Sequence, residues 1–300
     1  MERLVYINGQ YYPEKEAKIS IFDSSIMLGD TATESTRTFR HQPFKLDKHI
    51  ERLYQSLKLM HIHLELNPRE MEKITLEVFE KNLPLLPEDE EYWIVHNISR
   101  GTFLVGVAYK ALCPTVMIFC LPLNQKEYAM YYKTGVHAIV PEIRQIPYSC
   151  IDPRIKHRSR LHFVIADMEV RKIDPQGFCL LLDIDGNVTE NKGANFFMVK
   201  KGVLITPSTK NCLAGISRAT VLELSEELGI HSEERDITPE EICDADEAFF
   251  TSTPYCILPI TKFNGRPVGE GTPGKITQLF LDAWSKKVGI NIVEAALKKI

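Results

Sequence analysis

LPLNQKEYAMYYKTG, residues 121–135, is where the hydrophobic pattern of this chain lapses, and its reading decides the fold. On the N-terminal side, Asn8-Gly9 sits between extended segments around Val5–Ile7 and Tyr11–Tyr12, a hairpin signal. Residues 32–46 read as further strand, with a turn at Gln42-Pro43. Ile50, Leu53, Tyr54, Leu57 and Met60 then recur at helical spacing behind Asp47 as a cap. Asn67-Pro68-Arg69-Glu70 opens a second helix: a capping side chain, a proline in the first turn and a glutamate that completes a capping box. Its core face is Met71, Ile74, Val78 and Phe79, and strands follow at Tyr92–Ser99 and Pro114–Leu123.

Beyond residue 135 the pattern restarts. Val136–Val140 reads as a strand, Leu161–Arg171 as a helix, and Phe178–Asp183 and Ala194–Val199 as strands. Gly202–Thr206 pairs back through Lys200-Lys201-Gly202. Arg218–Leu228 is an amphipathic helix with Val221, Leu222, Leu224 and Leu228 inward, and Thr238-Pro239-Glu240-Glu241 is a second capping box. Glu247–Ser252 is a strand, and Lys275–Val288 a helix with Ile276, Leu279, Phe280 and Trp284 on one face. Two mixed blocks predict an α+β fold in two domains, 1–120 and 136–300, with 121–135 as the linker.

The charge balance, 36 Lys+Arg against 40 Asp+Glu, argues against a general nucleic-acid binder. No apolar run is long enough for a membrane span, and no N-terminal secretory signal is visible. The seven cysteines are scattered without a CxxC pair, which predicts reduced thiols, a cytoplasmic location and no metal site. The phosphate-loop, GxGxxG, GxSxG and HExxH motifs are missing.

Four features could carry chemistry. Lys156 lies among Arg154, His157, Arg158 and Arg160, between an Ile151-Asp152-Pro153 turn and an apolar helix. Like charges around a lysine favour its neutral, nucleophilic amine, although the same run reads equally well as a solvated basic patch. Glu190 closes Asp185-Gly186-Asn187-Val188-Thr189-Glu190 ahead of an apolar strand, where a hairpin with a solvent-facing carboxylate would look the same. Leu213-Ala214-Gly215-Ile216-Ser217-Arg218 leads into a helix whose unpaired N–H groups favour an anion, or simply a serine cap. Phe249-Phe250-Thr251-Ser252-Thr253 brings hydroxyls to the end of an apolar strand.

In that order and spacing, with Met27-Leu28-Gly29-Asp30, Glu34, Arg37 and the helix KHIERL (48–53), the four features resemble the class IV aminotransferases, the fold-type IV pyridoxal-phosphate enzymes, over roughly residues 3–285. The resemblance implies a smaller N-terminal α/β sandwich and a larger C-terminal domain with a pseudobarrel of strands and flanking helices. It implies pyridoxal 5'-phosphate as cofactor, Lys156 as the Schiff-base lysine and proton shuttle, and Glu190 as the partner of the pyridine nitrogen. Arg52, Ile216, Ser217 and Thr253 would hold the phosphate, and Leu213 would pack on the ring. A homodimer or larger homo-oligomer is implied as well, with an amino donor and a 2-oxo acid as substrates.

Departures bear on the substrate. Leu161 stands five residues after the lysine, where branched-chain members have Tyr. Thr33 precedes Glu34 where an aromatic is common, and Val105 lies in a loop that carries an Arg in the lyase and D-amino acid branches. The substrate carboxylate is left to Arg37, Arg144 or Arg154. The expected function is transfer of an amino group between a hydrophobic donor, by default a branched-chain amino acid, and a 2-oxo acid. An (R)-selective amine or D-amino acid transaminase is the alternative, followed by an aminodeoxychorismate lyase-like activity.

Overall fold

The computed structural model describes residues 2–103 and 113–300, so Val105 lies outside the described residues. The chain is mixed helix and sheet with two sheets, one in each of two compact units. Unit 1 comprises the chain to Leu123 together with Arg154–Ser159, and unit 2 comprises Asn124–Pro153 and Arg160–Ile300.

In unit 1 the elements run β1 (Leu4–Ile7), β2 (Gln10–Pro13), α1 (Ser24–Met27), β3 (Thr31–Phe39), β4 (Gln42–Pro43), α2 (Leu46–Leu59), α3 (Pro68–Asn82), β5 (Tyr92–Ser99) and β6 (Thr115–Pro122). Asn8 and Gly9 both take positive φ, as the two-residue β1–β2 turn requires. The six strands order as β2-β1-β6-β5-β3-β4. Val116, Ile118 and Cys120 alternate into a core shared with Ile94 and Ile98 of β5, Leu53 and Leu57 of α2, and Met71 and Val78 of α3. Asn67 and Glu70 form the expected capping box of α3. Asp47 does not cap α2: Lys45 occupies that position with φ 51°, and Asp47 lies in the first turn, where a carboxylate still favours the helix dipole.

In unit 2 the order is α4 (Tyr131–Thr134), β7 (Val136–Ile139), α5 (Leu161–Ile173), β8 (Phe178–Cys179), β9 (Glu190–Asn191), β10 (Ala194–Lys200), β11 (Val203–Thr206), α6 (Ile216–Glu227), β12 (Ser232–Glu234), α7 (Pro239–Cys243), β13 (Glu247–Ser252), β14 (Cys256–Phe263), β15 (Arg266–Pro267), α8 (Lys275–Val288) and α9 (Ile292–Leu297). The sheet runs β12-β11-β10-β13-β14-β7-β8, with β9 on β10 and β15 on β14. The stretch 121–135 holds the end of β6, a short 3-10 turn (Gln125–Glu127) and one-turn α4, elements too short to display a helical repeat. Phe178–Asp183 is strand only over its first two residues: Leu180 still donates to Ile139 of β7, but Leu181 donates to the Glu190 carbonyl of β9 and the Leu182 carbonyl accepts from Gln145, so the ladder on β7 ends there. In α8 the buried face is Thr277, Phe280, Leu281 and Trp284, and Leu279 is 43% exposed. In α6 Val221 and Leu224 are buried together with Ser217, Arg218, Thr220 and Ser225, while Leu222 and Leu228 are only partly covered. None of the seven cysteines forms a disulfide.

One core residue couples unit 1 to pH. His96 is fully buried, and its Nε2 lies 2.8 Å from Thr75 Oγ1, whose own proton goes to the Met71 carbonyl. The ring must therefore donate from Nε2, which leaves Nδ1 without a partner among the described residues. Burial pushes the imidazole down to about 4. A histidine protonated near 6.5 when unfolded and near 4 when folded contributes stability that is lost as pH falls through that window, about 3 kcal/mol at most. Urea midpoints should therefore drop between pH 7 and pH 4.5, and His96→Gln should flatten that dependence.

Candidate active site

In unit 1 the lysine segment is an extra edge strand. His157 bridges Ala32 of β3, the Lys156 carbonyl accepts from the Thr33 N–H at 2.9 Å, and the Arg158 N–H donates to the Thr31 carbonyl at 3.0 Å. The Lys156 N–H donates to Ser56 Oγ of α2 at 3.0 Å. Both peptide groups flanking the Lys156 α-carbon are thus pinned, one to a helix and one to a sheet. Ser159 Oγ donates to the Gly29 carbonyl at 2.7 Å, and a β-carbon on Gly29, whose φ is +67°, would touch that hydroxyl.

Beside this segment, Glu34 is completely buried and takes both Nε and Nη2 of Arg52, at 2.8 and 2.7 Å, with His49 Nδ1 at 2.9 Å. Burial drives its carboxyl up, but Arg52 and His49 outweigh that and hold it well below the usual range. Burial pushes His49 down, helped by the charges of Arg52 and Lys156, so the ring is neutral and donates to Glu34. Arg52 is therefore one arm of a buried fork-to-fork pair. Thr33 is buried and donates its hydroxyl to the His96 carbonyl at 3.0 Å. Arg37, also buried, donates Nε to the Thr38 carbonyl and stacks over Phe39 with 3.9 Å to the ring centroid. Arg144 is exposed and donates to the Pro141 carbonyl.

In unit 2, Glu190 Oε1 accepts from Gln145 Nε2 at 2.9 Å, and Oε2 accepts from the Leu213 N–H at 3.3 Å. Arg160, packed over the Phe163 ring, is pushed down by burial and held up in part by Glu190. The Leu213 carbonyl accepts from Asn195 Nδ2 at 2.8 Å. Helix α6 begins three residues later at Ile216, with Gly215 at its cap and no capping side-chain bond. Ser217 is buried in the first turn. At the end of β13 the hydroxyl of Tyr128 donates to the Pro254 carbonyl (2.8 Å) and that of Tyr132 to the Tyr255 carbonyl (2.7 Å), which anchors the turn that carries Thr253. Leu161 is 70% exposed at the start of α5.

Within unit 2 the fold thus brings together Glu190, Leu213, Ile216 and Ser217, and within unit 1 it brings Lys156 near Arg52, Glu34 and Thr33. Gln145, Asn195, Tyr128, Tyr132 and His49 were not among the sequence candidates. His49 lies within the KHIERL motif but was not singled out; the others lie in none of the motifs, because each acts on a residue distant in the chain.

A β-carbon on Gly215 would fall on Asn195 Oδ1, well inside contact distance. Gly215→Ala should break the Asn195–Leu213 bond and cost about 1–3 kcal/mol, read as a lower urea midpoint. The double change with Asn195→Ala should cost less than the sum of the two singles.

Residues 31–263 match the model of the family described as amino-transferase class IV. Over 275 residues the chain is 32% identical to a Methanocaldococcus jannaschii protein provisionally named a branched-chain-amino-acid aminotransferase, covering 91% of this chain and 92% of that one. It is 30% identical over 276 residues to a Bacillus licheniformis D-alanine aminotransferase, at 91% and 93% coverage. Among solved structures, the T.th. branched-chain amino acid aminotransferase with pyridoxamine 5'-phosphate superposes with a TM-score of 0.88 at 25% identity, covering 96% of this chain and 94% of that one. With a family match over most of its length, the chain belongs to the class IV aminotransferases, enzymes that work with pyridoxal 5'-phosphate.

Proposed function

We propose that this enzyme moves an amino group between a hydrophobic amino acid, by default a branched-chain one, and a 2-oxo acid, with Lys156 as its catalytic residue. The observation that carries the reading is in unit 2: one short segment serves two ends of a ligand. The Leu213 N–H holds the Glu190 carboxylate, and three residues on, α6 opens with uncapped N–H groups and a buried serine. A carboxylate for a ring nitrogen and a helix start for a dianion fit pyridoxal 5'-phosphate. Gly215 keeps the approach to α6 clear of a side chain, which agrees with that fit.

The cofactor supplies an aldehyde that condenses with amines and a ring that takes up the electron pair left on the donor α-carbon. Lys156 Nζ would hold the cofactor covalently, and the same amine would carry the proton at the donor α-carbon. Its pinned peptide groups limit how far that amine can wander. Glu190 keeps the ring nitrogen protonated. In unit 2, Ile216, Ser217 and Thr253 would hold the phosphate and Leu213 would pack against the ring; Arg52, whose charge the buried Glu34 balances, would add a guanidinium donor rather than net positive charge. Thr33 and Arg37 line the donor side.

Relatives named as branched-chain-amino-acid aminotransferases favour the branched-chain donor. Leu161, in place of a tyrosine, and the D-alanine aminotransferase relative favour the second reading, a D-amino acid or (R)-amine donor. We further propose a homodimer. Leu161, Val164, Ile165 and Met168 form an exposed apolar stripe at i, i+3, i+4 and i+7 on α5, 70%, 43%, 38% and 60% exposed, the kind of face that a second copy covers. Cysteines that form no disulfide agree with a cytoplasmic location.

Lys156→Ala should lower turnover by more than roughly a thousandfold and abolish the borohydride-fixed label on the peptide, with the fold retained by circular dichroism. Glu190→Gln should still bind cofactor but slow the donor half-reaction roughly a hundredfold. A panel of L- and D-amino acids and both enantiomers of an arylalkylamine, read by loss of the yellow colour, separates the two donor readings. Val164→Glu with Met168→Glu should bring the sedimentation mass down to the 34.3 kDa of one chain.

A further inference from the structure

We propose that Gln145, clamped by His162, is a positioning residue that sets the direction and charge of the Glu190 carboxylate. This inference rests on the reading of Glu190 given above.

The backbone frames the pair. The Gln145 N–H donates to the Leu182 carbonyl at 2.9 Å, while the Leu181 N–H donates to the Glu190 carbonyl at 3.0 Å. Gln145 and Glu190 therefore flank one extended segment, which Thr189 fastens again through its N–H and hydroxyl to the Leu181 carbonyl, both at 2.9 Å. Gln145 is buried, so its amide cannot exchange partners with bulk water.

The amide has only one workable orientation. Its Oε1 accepts from the Ile146 N–H at 3.0 Å, and a backbone N–H can only donate. The oxygen is thus on that side, and Nε2 faces Glu190 Oε1 at 2.9 Å. His162 Nε2 lies 3.0 Å from the same amide oxygen, so it too must carry a proton and donate. The direction of donation runs from His162 to Gln145 to Glu190. An N–H at the end of that chain favours the ionised carboxylate, the form that pairs with a protonated ring nitrogen. His162 is the second residue of α5, and its ring lies tilted by 40° against that of Phe163, with 4.1 Å between centroids, so the clamp is carried by a helix. Among the described residues, Arg160 and the buried thiol of Cys212 also feel the Glu190 charge. Neither can take the place of an oriented amide: one is a diffuse cation stacked on Phe163, and the other is a neutral thiol that burial pushes up.

The test uses the holoenzyme and four variants, Gln145→Leu, Gln145→Glu, His162→Leu and His162→Gln. The readouts are the cofactor dissociation constant by equilibrium dialysis, the pH dependence of the visible absorption, and the donor half-reaction with its rate and KM separated. Gln145→Leu should weaken cofactor binding about tenfold and slow the half-reaction about tenfold, leaving donor KM within about twofold. His162→Leu should move the same quantities in the same direction, and His162→Gln, whose amide can donate to the Gln145 oxygen, should restore them to within about threefold of the parent. Gln145→Glu sets two carboxyls together; it should work when they share a proton and fail as pH rises, a limb absent from the parent.

Parental cofactor affinity, absorption profile and rate in Gln145→Leu, with Glu190→Gln impaired, would overturn the inference and leave the proposed function standing. Equal losses in His162→Leu and His162→Gln would overturn the clamp. Should Gln145→Leu not fold, the His162 pair decides. A parent that holds no cofactor on Lys156 overturns the proposed function and this inference with it.

Discussion

Strand β3, Thr31–Phe39, is buried along its whole length although seven of its residues, Thr31, Thr33, Glu34, Ser35, Thr36, Arg37 and Thr38, are polar or charged. Such a strand is tolerated only if its charged groups are matched; of its hydroxyls, those of Thr31 and Thr36 have no hydrogen-bond partner among the described residues. Glu34 requires Arg52 and His49, and both are carried by α2. Thr38 meets Glu91, and Thr33 meets the His96 carbonyl of β5. The desolvation cost of the buried ions means that hydrophobic residues of similar volume could serve stability equally well. What the polar strand provides is a fixed electrostatic surface on which the lysine segment is laid. The unpaired edge of β3 accepts residues 156–158, and α2 supplies Ser56 for the remaining Lys156 N–H.

Unit 2 applies the same economy to a different problem. Its polar groups converge on one carboxylate and one helix start, and the link between them is a few residues of main chain. Asn195 holds the Leu213 carbonyl, the Leu213 N–H holds Glu190, and Gly215 lets Asn195 approach α6 closely. Tyr128 and Tyr132 fasten the Thr253 turn from a segment far away in sequence, and the neighbouring Cys256 takes φ 62° with the Thr251 hydroxyl on its carbonyl. Backbone that would be loop elsewhere is thereby made as rigid as a strand.

Much of this was legible beforehand. The capping boxes at Asn67 and Thr238, the Asn8-Gly9 turn and the limits of β13 and α8 follow from local chemistry and appear as expected. The ordered set Lys156, Glu190, Ile216-Ser217 and Thr253 pointed to the right family. Where the reading missed, tertiary packing overrode local preference. Lys45 rather than Asp47 precedes the first turn of α2, Thr277 and Leu281 replace Ile276 and Leu279 on the buried face of α8, and Leu181 and Leu182 leave the β7 ladder to bond Glu190 and Gln145.

By itself the sequence determined most of the longer helices and strands, the capping boxes and the family to which the chain belongs. These depend on residue type and short-range spacing, which a linear string carries in full. Only the tertiary structure decided that Arg52 is shared with a buried Glu34, that Lys156 is pinned by Ser56 and Thr33, and that Gln145 and His162 stand behind Glu190. Those pairings join residues far apart in the chain, and a hydrogen bond, unlike a capping preference, exists only once folding has brought its two ends within reach.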